Sequence, residues 1–145
     1  MKKILIIISF FLVLSANNLF AQSKGNCAVF LCKDATENED GNTDIEGLFT
    51  GFNSNAVGTT NSFKVYTRFQ DFVLNVTHTY KLKLINPVGV SILDTDKGAF
   101  ILASKTSAQI YQGNWEVTFP TKGVYQIQVF VDDVMVEYLN LKVGD

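Results

Sequence analysis

Histidine, tryptophan, proline and cysteine are scarce in this 145-residue chain: one His, one Trp, two Pro and two Cys. A single histidine, His78, means that any imidazole relay or catalytic triad depends on that one residue. Two cysteines and one histidine fall short of the four ligands of a structural zinc site unless a carboxylate joins them. Both prolines, Pro87 and Pro120, sit in turn-like stretches, so no proline interrupts a strand interior. Charge is sparse as well, at 18% of residues with a net of −2. Two of the twelve basic residues, Lys2 and Lys3, precede the first apolar run, leaving ten against fourteen acids, or −4, for the rest. An acidic balance disfavours nucleic acid, whose phosphates demand basic clusters. It disfavours anionic membrane surfaces for the same reason.

Lys2 and Lys3 followed by the apolar run Ile4 to Leu14, with Leu19-Phe20-Ala21 as a cleavage site, read as a secretory signal peptide over residues 1–21. The run is about half the ~20 residues that span a bilayer as a helix. Gln22 rather than Cys follows the cut, so the lipoprotein anchoring signature is missing. The expectation is an exported protein, periplasmic or extracellular, in which residues 22–145 form a single domain of ordinary size.

Export would bring Cys27 and Cys32 into oxidising surroundings. Five extended steps of ~3.3 Å put their α-carbons about 16 Å apart, against the ~7 Å limit for a disulfide. The odd spacing also turns the two side chains to opposite faces. A bridge between them would require the segment to bend. Cys32 reads as a small core residue beside Ala28 and Phe30, and Cys27 as an exposed thiol able to pair between chains.

Period-two alternation runs through most of the chain. Ala28 to Ala35 reads as a strand, Asp40-Gly41 as a hairpin turn, Ile45 to Phe52 as the returning strand, and Asn53 to Asn61 as a loop. Phe63, Val65, Thr67 and Phe69 alternate with Lys64, Tyr66 and Arg68. Tyr80, Leu82 and Leu84 alternate with Lys81 and Lys83 before the Asn86 to Gly89 turn, and Val90 to Leu93 resumes. Ala99 to Ala103 and Ser107 to Tyr111 are strands or irregular connections. Trp115, Val117 and Phe119 lead to the Pro120 to Gly123 turn. Tyr125 to Val131 and Val134 to Val143 form the closing hairpin around Asp132-Asp133. Eight or nine short strands with frequent turn signals and no sustained helical period predict an all-β antiparallel two-sheet sandwich, with a β-barrel as the alternative.

The segments Ala28 to Ala35, Ile45 to Phe49 after Asp40-Gly41, Tyr80 to Gly89 and Phe119 to Leu141 resemble a bacterial family of small β-sandwich proteins known only as a domain of unknown function. The likeness covers nearly all of the chain beyond the leader. It rests on turn and core residues, so it implies fold and no chemistry.

Asp34, Glu37, Glu39, Asp40, Asp44 and Glu46 place six carboxylates within 13 residues, and hard oxygens of this kind suit calcium. With Gly41 at the sixth position of an EF-hand loop, Thr36 and Gly47 occupy the first and twelfth, where Asp and Glu are needed. Asn38, Asp40 and Asp44 remain as weak calcium candidates, beside the plainer reading of a solvated hairpin. His78 shares the alternation of Val76 and Tyr80, the placement of a structural strand residue. No cofactor motif and no catalytic constellation is found. Among 17 Phe and Tyr residues and one Trp, most lie on the inward register, and of those off it two stand out: Tyr66 between Lys64 and Arg68, and Phe130 after Gln126 and Gln128. Tyr66, Arg68 and Phe130 are therefore candidate contacts for a protein or a glycan. The expected function is a non-enzymatic binding module. A structural or assembly subunit, pairing through an edge strand, is the alternative.

Overall fold

Alternation decides which side of each strand is buried, and the computed structural model, which describes residues 25–39 and 42–144, shows where those sides meet. Eleven strands occur among the described residues: β1 (Asn26–Cys32), β2 (Asp34–Glu37), β3 (Thr43–Glu46), β4 (Gly51–Phe52), β5 (Thr60–Gln70), β6 (His78–Ile85), β7 (Ser91–Asp94), β8 (Gly98–Phe100), β9 (Gln109–Thr118), β10 (Gly123–Val131) and β11 (Val134–Val143). The signal peptide expected over residues 1–21 lies outside the described residues, as do Asp40 and Gly41. No helix among the described residues is long and apolar enough to cross a membrane.

Sheet I has the order β1-β5-β9, and sheet II the order β4-β11-β10-β6-β7 with β8 also paired to β6. Every pairing within them is antiparallel except β4 with β11. Inward residues of both sheets merge into one core, with Val65, Phe69, Leu82, Leu84, Phe119, Tyr125, Ile127, Val129 and Leu141 fully buried. Each such side chain contributes about 1.5–3 kcal/mol on leaving water. Aromatic rings fill both ends. Phe52 packs on Phe63 and Phe119 at one, and Phe69 on Tyr80 and Phe100 at the other.

The strand order β1-β5-β9 facing β11-β10-β6, with a short parallel strand beside β11, is that of an immunoglobulin-like sandwich. A second mark agrees. Tyr125, early in β10, donates its hydroxyl to the carbonyl of Thr121 at 2.8 Å across the preceding corner, as in a tyrosine corner.

The sandwich holds, and the segmentation within it differs from the sequence expectation in two places and resolves a third that was open. Ala28 to Ala35 is divided at Lys33, where the chain leaves sheet I. Ile45 to Phe52 is not one strand. Gly47, at φ +64°, turns the chain after β3, and a Cβ there would come within 2.9 Å of the Lys33 side chain. Phe49 then donates to the Leu31 carbonyl, and β4 joins sheet II beside Lys142 and Val143. Of the segments left open between 99 and 111, the first supplies only β8. The second runs without a break into the Trp115 strand as β9. Gly113 permits that continuity, because the Tyr111 hydroxyl lies 2.1 Å from where its Cβ would stand.

The hairpin β2–β3 belongs to neither sheet. It folds back over the outer side of sheet I, where Ala35 and Ile45 pack on Cys32 and Tyr66 in a small second core. An ion pair between Asp34 and Lys64 fastens its base.

Candidate functional site: the uncovered face of the second sheet

Hairpin β2–β3 makes the two outer faces of the sandwich unlike. On sheet I, Cys32, Lys64 and Asn114 form one cross-strand row, and Phe30, Tyr66 and Gln112 the next. Tyr66 does not stand on a wet face as expected: it is 6% exposed beneath the hairpin. Its ring lies 6.4 Å from that of Phe30, which remains partly exposed at the hairpin's margin. Arg68 is exposed, opposite Ala28 and Ile110. Burial of the small second core raises the Cys32 thiol above its ordinary range, against the pull of Lys64.

Sheet II carries no such cover among the described residues. Ladder pairing sets Val124 opposite Lys142, Gln126 between Asn140 and Ile85, Gln128 between Tyr138 and Lys83, and Phe130 between Met135 and Lys81. Tyr138 is 49% exposed, and Val124, Val134 and Met135 are comparably so. Phe130 is half-buried, with the Lys83 ammonium 5.5 Å from its ring centre. Such a contact is worth about 0.5–1 kcal/mol at an exposed site. The amides bond in a row: Gln128 Nε2 donates to Gln126 Oε1 at 3.1 Å, and Gln126 Nε2 to Asn140 Oδ1 at 3.2 Å. Tyr66 and Arg68 thus lie on one side of the molecule and Phe130 on the other, and the three do not form one site.

Tyr138 and Met135 were not singled out by sequence reasoning. The Asp132-Asp133 turn was a usable signal, since it brings Phe130 toward β11. A bulge between Val129 and Phe130 shifts the register there and obscures the match to Met135.

A shallow groove of about 280 Å³ runs along the side where β1 approaches β11. Phe30, Leu48, Phe49 and Leu139 line it, and Leu48 is largely exposed.

His78 is buried at one end of the sandwich. Its Nδ1 meets Asp132 Oδ2 at 2.7 Å, its Nε2 meets the Val73 carbonyl at 3.0 Å, and Phe72 and Phe100 hold the ring. Both nitrogens are engaged within the fold, so the ring ties the 71–77 loop to the β10–β11 turn. Burial pulls the Asp132 carboxyl upward, but hydrogen bonds from His78 and Thr79 outweigh it and hold it below the ordinary range. Lys97 lowers neighbouring Asp133 in the same sense.

Cys27 is not the exposed thiol expected: it is 6% exposed and belongs to the main core. Burial, with the Glu137 carboxylate nearby, pushes its pKa up to about 12, which leaves it unreactive. Cys32 points to the opposite side of β1, into the hairpin cluster, and both thiols are free. In the acidic hairpin, Asn38 spans to Asp44 at 3.4 Å and its Oδ1 accepts from the Asn42 amide. Asp40, the remaining calcium candidate, lies outside the described residues. No group of three His, Cys, Asp or Glu among the described residues is placed to hold a metal ion.

Residues 27–144 match the model of a family of unknown function, DUF6941. The chain belongs to this family. Among solved structures, one provisionally described as a β-galactosidase of Bacteroides fragilis aligns with a TM-score of 0.51 at 10% identity. The alignment covers 86% of this chain and 18% of that one, so what it shares is the sandwich fold alone. The CARDB domain of a Pyrococcus furiosus protein, solved in complex with di-metal ions, aligns at 13% identity and a TM-score of 0.43, over 83% of this chain and 94% of that domain. An immunoglobulin-like protein of Pseudomonas aeruginosa aligns at 16% identity and a TM-score of 0.36, over 83% and 98%. No curated protein matches the chain.

Proposed function

We propose that this is an exported, non-enzymatic binding module that meets a protein partner on the outer face of sheet II. One observation carries the reading: the face holds Val124, Phe130, Met135 and Tyr138 in partial or full exposure, while on sheet I the chain's own hairpin buries Tyr66 and leaves Phe30 exposed at its margin and Arg68 and Ile110 beyond it. A half-exposed aromatic with apolar neighbours on a rigid sheet is the kind of anchor that protein interfaces use. A protein fits better than a glycan. The Gln126, Gln128 and Asn140 amides already bond to one another, and a sugar would have to break those bonds to gain its own. His78 is given no catalytic part, since a general base must have a nitrogen free for its substrate. The apolar groove beside Leu48 is a second concavity, with Phe30 partly exposed on its wall.

A photo-reactive amino acid placed at position 138 in the producing cell tests this. Cross-linked protein adducts are expected from position 138 and not from position 112 on the opposite sheet. Equal adducts from both, or none from 138, would remove the reading. Export is checked by fractionation and N-terminal sequencing, with a mature chain beginning at Gln22 expected.

A further inference from the structure

We propose that the partner on the outer face of sheet II is the acidic hairpin β2–β3 of a second copy of this chain, so that copies associate head to tail. This rests on the interaction face proposed above and names its occupant. The argument is complementarity of charge. Lys81, Lys83 and Lys142 lie on the receiving face, with the opposing charges Asp94, 3.8 Å from Lys83 at the sheet's edge, and Asp133, which acts on Lys81 from the β10–β11 turn. The hairpin carries the opposite sign: Glu37, Glu39, Asp44 and Glu46 are all exposed. Its inner side is consumed by Ala35 and Ile45 packing on sheet I; Asp44 and Glu46 lie on the opposite register, away from its own sandwich, and Glu37 and Glu39 are exposed toward its tip.

Geometry sets the kind of assembly. Hairpin and receiving face lie on opposite sides of one molecule, so a copy cannot give and receive with the same partner. The contact is heterologous, and it propagates unless the rotation between copies closes a ring. Charged groups on the rim fix register and rate of encounter, and Tyr138, Met135 and Phe130 provide the apolar centre. With the chain net acidic overall, attraction between copies is confined to this patch and falls with salt.

Sedimentation velocity on the purified chain, from about 1 to 200 µM in 50 mM and 500 mM salt, tests the proposal against two charge-reversed variants, K81E/K83E and E37K/E39K. Wild type is expected to grow in size with concentration at low salt and to dissociate at high salt. Each variant alone should associate at least about tenfold more weakly. Their equimolar mixture should recover association, because the reversed hairpin then meets the reversed face. Circular dichroism identifies a variant that fails to fold, and the hairpin variant alters only exposed side chains remote from the core. A wild type that stays monomeric throughout, variants that associate like wild type, or a mixture without recovery would each overturn the proposal. A monomeric chain that still yields adducts with a different protein from position 138 would sink the head-to-tail contact and leave the binding face standing. Absence of both would sink the two together.

Discussion

Tyr66 and Tyr138 occupy similar positions in the sequence pattern, each on the outward register of a strand. One is buried and the other half-exposed. The difference comes from strands β2 and β3, which leave sheet I and lie across its outer side. Alternation says which side of a sheet a residue faces. It says nothing about whether another part of the chain comes to lie on that side. The covered face spends its aromatic on stability, and the uncovered face has its aromatic free for a partner.

Truncation separates the two faces most strongly. Tyr66→Ala should cost about 3 kcal/mol, the usual range for emptying a buried aromatic site, whereas Tyr138→Ala should stay within about 0.5 kcal/mol. Urea denaturation of the two variants side by side measures this, and equal losses would erase the distinction. Next in size, Gly113→Ala should destabilise by about 1–3 kcal/mol through overpacking. The new methyl would displace the Tyr111 hydroxyl that accepts from Trp115 Nε1 at 3.1 Å. A near-ultraviolet circular dichroism change at the tryptophan band should accompany it.

Smaller again and opposite in sign, Thr67→Val should raise stability by about 1 kcal/mol. The Thr67 hydroxyl is fully buried with no hydrogen-bond partner among the described residues, and valine fills the same volume without desolvating a polar atom. Thermal melting reads the gain.

Acid gives the smallest effect, and it acts at the base of the hairpin and at the β10–β11 turn. Hydrogen bonding to Lys64, with a further bond from the Ala35 amide, holds the Asp34 carboxyl below its usual range. Its folded pKa is thus lower than its unfolded one, so its contribution is complete above about pH 4 and is lost as pH falls through the depressed value. Hydrogen exchange at pH 3 should therefore quicken in β2 and β3 before β10 and β11. Uniform quickening would show that the ion pair does not fasten the hairpin. The Lys97 and His78 partners of Asp133 and Asp132 work in the same direction at the β10–β11 turn.

Much of the architecture was legible because the inward sets Phe63/Val65/Phe69, Leu82/Leu84 and Tyr125/Ile127/Val129 alternate without interruption and their turns carry Gly, Pro or Asp. Opposite pointing of Cys27 and Cys32 was legible for the same reason, and the two thiols do sit in different cores. Burial of Cys27 was not. It depends on β11, more than a hundred residues later, closing over the start of β1. The division of Ile45 to Phe52 was hidden too, because Leu48-Phe49 continues the apolar pattern across a left-handed glycine whose conformation the pattern does not encode. The candidate face was half legible: Phe130 was visible as an off-register aromatic, while Met135 and Tyr138 join it only through a bulged register.

Hydroxyl-radical footprinting of the folded chain, first dilute and then in an extract of its producing cell, tests the central claim that one outer face is closed by the protein itself and the other is left for a partner. Tyr138 and Met135 should be oxidised readily in the dilute sample and become protected in the extract, with Tyr66 protected in both. Oxidation of Tyr66 as fast as Tyr138 in the dilute folded protein, or unchanged oxidation of Tyr138 in the extract, would contradict it.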